Sequence, residues 1–232
     1  MKRIQEKFLI ALAIPVMIVS VPSVAFATCT NGTPDGAPTW DPSVRVPKTA
    51  NIGAGTDIGP NVSIGGDVVI GQCSQIGLDG QGVTLAAHAR VGSGATITGN
   101  SSVGYYSKLG SGVTLNGVSI NARSSIGDDS AISDSVIGSH VAVGNNAAIS
   151  SSKLPSYVKL GAGSTIGGSN LGYSSKFGDG VTVDDGTKIG KDVTVEASVH
   201  IHDNVTVGYS SHVCADLASG MKLPSYSKFG CY

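Results

Sequence analysis

The chain has 232 residues, a net charge of −1, 13% charged and 5% aromatic residues, and 33 glycines, a globular composition with unusual turn content. The near-neutral charge excludes nucleic-acid binding through a general basic surface. No long window carries apolar residues at 3.6-residue spacing, which excludes a helix-rich fold.

The N-terminus reads as a secretory signal over residues 1–27. Lys2, Arg3 and Lys7 precede an apolar run at 8–19, and Ala25-Phe26-Ala27 supplies a small-residue cleavage site. Pro15 interrupts the run, which is shorter than the roughly 20 apolar residues of a membrane span. Maturation is expected at Thr28, with no span left, no anchor at Cys29, and a more acidic chain once the three bases are gone. The expected location is secreted, periplasmic or at the surface of a bacterial cell. Residues 28–49 hold Pro34, Pro38, Pro42, Pro47 and the single Trp40, and read as an irregular N-terminal cap.

From residue 50 to 232 the sequence is a ladder. Ile52, Ile58, Ile64, Ile70 and Ile76 recur every sixth position, each followed by glycine. Ile120, Ile126, Ile132, Ile137, Val143, Ile149 and Leu154 continue it, with a five-residue step closing each group of 17. A small residue stands two places before each rung, as Ser124 does before Ile126 and Ala147 before Ile149. Two inward positions around one outward position are a strand pattern, and glycine after the rung is expected to supply the permissive backbone of a corner. Three strands and three corners make one coil of 17–18 residues, giving about nine coils at ~4.8 Å each. The fold class is therefore all-β, a single-stranded triangular parallel β-helix. The only clear insertion is at 78–82.

All four cysteines fall in the exported portion, where disulfides persist. Cys214 and Cys231 are one coil apart, which predicts their pairing and leaves Cys29 with Cys73.

The hexads resemble the hexapeptide-repeat superfamily over most of the mature chain. The resemblance implies a left-handed helix and a homotrimer. It also implies one of two activities at sites between subunits, acyl transfer or the zinc-dependent hydration of the γ-class carbonic anhydrases. The chain lacks the longer loop and C-terminal helical segment of the transferases, and no catalytic motif of the superfamily maps onto it, so no catalytic residue is assigned and no cofactor is expected.

One corner collects His88, Tyr106, Arg123, His140 and Tyr157 at spacings of 17 or 18, with Tyr173 and Tyr209 one place earlier in the corner. Lys108, Lys159 and Lys176 stand on the strand beside it. Such an edge suits an envelope glycan or polyanion, because rings offer flat apolar faces and lysines point charges; it equally suits a ladder of rings that cover one another. Flanking Ile201, His200 and His202 both point outward, a two-ligand pair that needs a third ligand from a neighbouring subunit to hold a metal; no metal site is assigned. Asp128, Asp129, Asp134, Asp179, Asp184 and Asp185 read as solubilising corner acids. Thr96-Ile97-Thr98 and its successors form a rank of short hydroxyl residues, the pattern of an ice-binding face. These features favour a non-catalytic structural or surface-interaction protein, with a hexapeptide-repeat enzyme as the alternative and an ice-binding protein third.

Overall fold

A computed structural model describes residues 29, 30, 33, 34 and 36–232. The signal-peptide reading of residues 1–27 lies outside the described residues.

The ladder folds as its period requires, into a parallel β-helix with three faces, left-handed as the hexapeptide-repeat resemblance implies. The first face stacks eleven strands, from Asn51–Ile52 to Lys228–Phe229. The second stacks ten, from Thr39–Trp40 to His200–Ile201. The third holds six strands from Val62–Ile64 to Lys153–Leu154, and three from Lys188–Ile189 to Lys222–Leu223. Asn170 bridges the two parts, pairing with both Lys153 and Lys188. Eleven strands on one face make about 11 turns, more than the rung count gives and roughly 50 Å of solenoid. The difference arises at the ends. Thr39–Trp40 already pairs in parallel with Asp57–Ile58, and Lys222–Leu223 and Lys228–Phe229 extend the stack past Val213. Cys29–Thr30 and Thr33–Pro34 form a small antiparallel pair before it. Among the described residues no helix is long and apolar enough to cross a membrane.

The core is the sum of the two inward positions of each hexad. Ile97, Leu115 and Ile132 are buried with Ala95, Val113 and Ser130 two places before them. Where the small residue is serine, its hydroxyl ties coils together. Ser124 donates to the carbonyl of Gly138 (2.6 Å) and accepts the amide N–H of Val141 (3.1 Å), while its own N–H is taken by Ser107 Oγ (3.2 Å). Serine fits because a polar atom inside the solenoid is tolerated only when bonded. Among the described residues no buried side-chain nitrogen or oxygen lacks a partner.

The role expected of the glycine after each rung is corrected. Gly144 has no positive φ; a Cβ there would lie 2.5 Å from the Ala162 nitrogen in the next coil. At Gly144, as at Gly53, Gly71 and Gly161, glycine follows the rung because the coils touch there, whereas Gly77 and Gly230, at φ 66° and 69°, do take the left-handed backbone. The left-handed conformation belongs to the residue three places before the rung, where His88, Tyr106, Arg123, His140 and Tyr157 have φ between 58° and 65°. Non-glycine residues bear a cost of ~1–2 kcal/mol in that conformation.

Both disulfides form as the coil spacing requires. Cys29 joins Cys73 and Cys214 joins Cys231, with Cα separations of 5.6 and 5.1 Å. The second closes the C-terminal coil, whose Met221, Leu223 and Phe229 are only partly buried against the core.

Urea unfolding tests both the core and the corners. Ile132→Ala should cost about 2–5 kcal/mol, and Ser124→Ala about 1–3 kcal/mol by orphaning the Val141 amide. Gly144→Ala should cost about 1–3 kcal/mol, whereas Tyr157→Gly should cost less, because relief of left-handed strain offsets the loss of its two ring contacts, with His140 and Tyr173; the opposite order would show that the glycines serve conformation and not space.

Candidate functional site

The corner residues named from the sequence come together as a column before the first face. They pack in pairs. His88 stacks on Tyr106 (4.6 Å, 10°) and His140 on Tyr157 (4.9 Å, 7°), with Arg123 standing between the two pairs in the column. Tyr173 meets Tyr157 edge-on at 5.4 Å, and Tyr209 meets Tyr226 edge-on at 5.0 Å. The Tyr226 hydroxyl bonds Tyr209, which together with the neighbouring phenol's charge raises its pKa above the ordinary tyrosine value. Lys191 lies 5.9 Å from the Tyr209 ring. Lys108 pairs in register with Arg90, and Lys159 with Lys176.

The histidines divide differently. On the second face, His200 and His202 flank the buried Ile201 and point outward. The ladder aligns Thr182 with His200 and Val183 with Ile201, so Asp184 of the preceding coil comes beside His202. Asp184 Oδ2 lies 2.7 Å from His200 Nε2 and 3.6 Å from His202 Nδ1, and the two imidazoles are 3.8 Å apart. The three ligand atoms fall within 4.8 Å of one another. The third group therefore comes from the same chain, and Asp184 is more than the solubilising acid expected from the sequence. Its signal is the 18-residue separation from His202, one coil of this part of the ladder.

A second pair occupies the first face. His212 Nε2 lies 2.5 Å from Glu196 Oε1. Its ring also lies within 4.8 Å of the Cys214 and Cys231 sulfurs, which are joined in the disulfide. His88 faces Asp67 at 3.6 Å.

The hydroxyl rank predicted on the second face lines a shallow groove of about 390 Å³ between Thr114, Asn116, Ser133, Ser150 and Thr165. Thr165 pairs with Thr182, and Thr182 with His200, so the groove runs toward the Asp184 cluster. A smaller cavity of about 160 Å³ lies at the N-terminal end between Trp40, Pro42, Pro60 and Leu78.

A carboxylate bonded to one imidazole nitrogen fixes the tautomer and leaves the other nitrogen as a base. Converging imidazole and carboxylate groups also match metal-ligand chemistry. Both arrangements lie in the last third of the solenoid.

Residues 118–212, which include Asp184, His200, His202, Glu196 and His212, match the family described as the GMPPB C-terminal domain. No curated protein matches the chain. Among solved structures, the UDP-N-acetylglucosamine O-acyltransferase of Moraxella catarrhalis is 17% identical, with 72% of this chain and 68% of that chain covered and a TM-score of 0.42. The Francisella novicida UDP-N-acetylglucosamine acyltransferase is 20% identical over 80% and 62% of the two chains, at a TM-score of 0.35. A variant of GDP-perosamine N-acetyltransferase from Caulobacter crescentus, solved with CoA and GDP-perosamine, is 18% identical over 81% and 52%, at 0.20. The chain thus spans between about half and two thirds of the length of these proteins. The expectation of a non-catalytic structural or surface-interaction protein is corrected by the match of residues 118–212 to the GMPPB C-terminal domain family, which backs the enzyme alternative better. The hexad sequence and the three-faced parallel solenoid it builds are those of the hexapeptide-repeat, left-handed β-helix fold.

Proposed function

We propose that the chain is a hexapeptide-repeat acyltransferase in which His212, oriented by Glu196, is the general base. The observation that carries this reading is the 2.5 Å contact between His212 Nε2 and Glu196 Oε1. With Nε2–H donated to the carboxylate, Nδ1 holds the lone pair. That nitrogen takes the proton from an acceptor hydroxyl or amine as its oxygen or nitrogen bonds the acyl carbonyl carbon. Collapse of the tetrahedral adduct breaks the bond to the donor's leaving group, which departs with the proton returned by the imidazolium. Glu196 stabilises the imidazolium in between, the usual service of a carboxylate behind a catalytic histidine. The reaction class is the one for which the similar solved structures are named.

His212 and Glu196 stand 39% and 54% exposed on a flat sheet, so the site needs a wall to exclude water. A homotrimer, in which a neighbouring solenoid faces this edge, supplies it. The apolar leader at 8–19 and the two disulfides support export from a bacterial cytoplasm to an oxidising compartment.

Turnover is tested with acetyl-CoA and 4-nitrophenyl acetate as donors and UDP-N-acetylglucosamine and GDP-perosamine as acceptors. His212→Ala should lower kcat by about 100- to 10,000-fold, with a smaller loss for Glu196→Gln and unchanged melting. The absence of turnover with every donor and acceptor, or full activity in His212→Ala, overturns the reading.

A further inference from the structure

We propose that Asp184, His200 and His202 bind one divalent first-row transition-metal ion, zinc foremost, through Oδ2, Nε2 and Nδ1 respectively. This assignment uses neither residue of the proposed acyl-transfer pair and does not depend on it.

Two imidazoles converge on a single carboxylate oxygen here, whereas His88 and His212 each face one acid. The centroids of the two rings lie 3.8 Å apart, so both imidazoles share one small volume of space with that oxygen. A divalent cation satisfies all three groups at once. Two neutral imidazoles and a carboxylate suit zinc, which takes nitrogen and oxygen ligands at ~2.0–2.2 Å. From separations of 2.7 and 3.6 Å about Asp184, small rotations of three partly exposed side chains bring the donors to those distances.

The backbone beneath is held from both sides. The His200 N–H donates to Asp216 Oδ1 of the following coil (2.8 Å), and the His202 N–H to the carbonyl of Leu217 (3.0 Å). From the preceding coil, Thr187 Oγ1 donates to the His202 carbonyl (3.0 Å). Ile201 pairs with Leu217, which brings Asp216 beside His200 and adds a second negative charge near the cation. The ligands are thus fixed by three stacked coils, the rigid support that metal ligands require. The side chains are 32% to 43% exposed, so three protein ligands leave an open side for water, the arrangement of catalytic and not of closed structural zinc.

The test uses untagged exported protein, stripped with a chelator and titrated with zinc chloride by calorimetry and with cobalt(II) by visible absorption. One equivalent per chain is expected, with a cobalt spectrum showing nitrogen ligation. Asp184→Asn and His202→Gln should each weaken zinc binding by about 100-fold or more while the metal-free melting temperature is unchanged, and His212→Ala should bind as the parent does. No saturable uptake at micromolar zinc, uptake that survives both Asp184→Asn and His202→Gln, or uptake lost with His212→Ala overturns the assignment. Acyl transfer is not read in this experiment, so its failure and that of the proposed base are distinguishable.

Discussion

The structure depends on the hydrogen-bonded contact of each coil with the next. A parallel ladder such as Lys108–Leu109 on Ser125–Ile126 brings backbones to about 4.8 Å, and every other regularity answers to that distance. Where glycine follows the rung, as at Gly53, Gly144 and Gly161, a Cβ would meet the backbone of the neighbouring coil. The corner must then turn three residues before the next rung, through a left-handed residue. Serine is accepted inside because the coils above and below offer it a carbonyl and an amide.

This constraint also explains where chemistry can be placed. Among the described residues the inward positions are occupied by buried rungs and their small partners, so reactive groups lie on the faces, where stacking sets their spacing. Side chains on one face repeat at coil height, and groups from consecutive coils meet whenever their register agrees. Asp184 with His200 and His202, and Glu196 with His212, are such meetings on two different faces. Flat faces leave these groups half in water. A neighbouring molecule is the natural way to enclose them.

Much of this was legible in the sequence, for physical reasons. The rungs and their small partners follow from burial, which depends on residue type and period alone, and the Cys214–Cys231 pairing follows from coil length. The function of glycine was not legible, because a missing side chain serves a left-handed turn and a close contact equally well. Gly144 follows its rung and Gly112 stands three places before one, and of the two only Gly112 has a positive φ. Asp184 was missed because its partners lie 16 and 18 residues onward, where the coil has lengthened from 17 to 18, and an acid near a corner resembles any solubilising residue. The tyrosine corner was found by register, but the breaking of its stacks at Arg123 depends on which adjacent rings face each other. The extra turns were hidden by prolines around Trp40, which disguise a strand only two residues long.

The disulfides at the two ends bear on how such a molecule comes apart. Each coil touches only its neighbours, so a solenoid loses order most readily from its termini, where a coil has one neighbour instead of two. Here the N-terminal pair of strands is tied across 44 residues to Cys73, and the partly buried last coil is tied across 17 residues to Cys214. Fraying from either end therefore releases a closed loop and not a free tail. Complete loss of the stack also requires opening between interior coils, each held on both sides, and that slow route sets the lifetime of the folded chain against proteases.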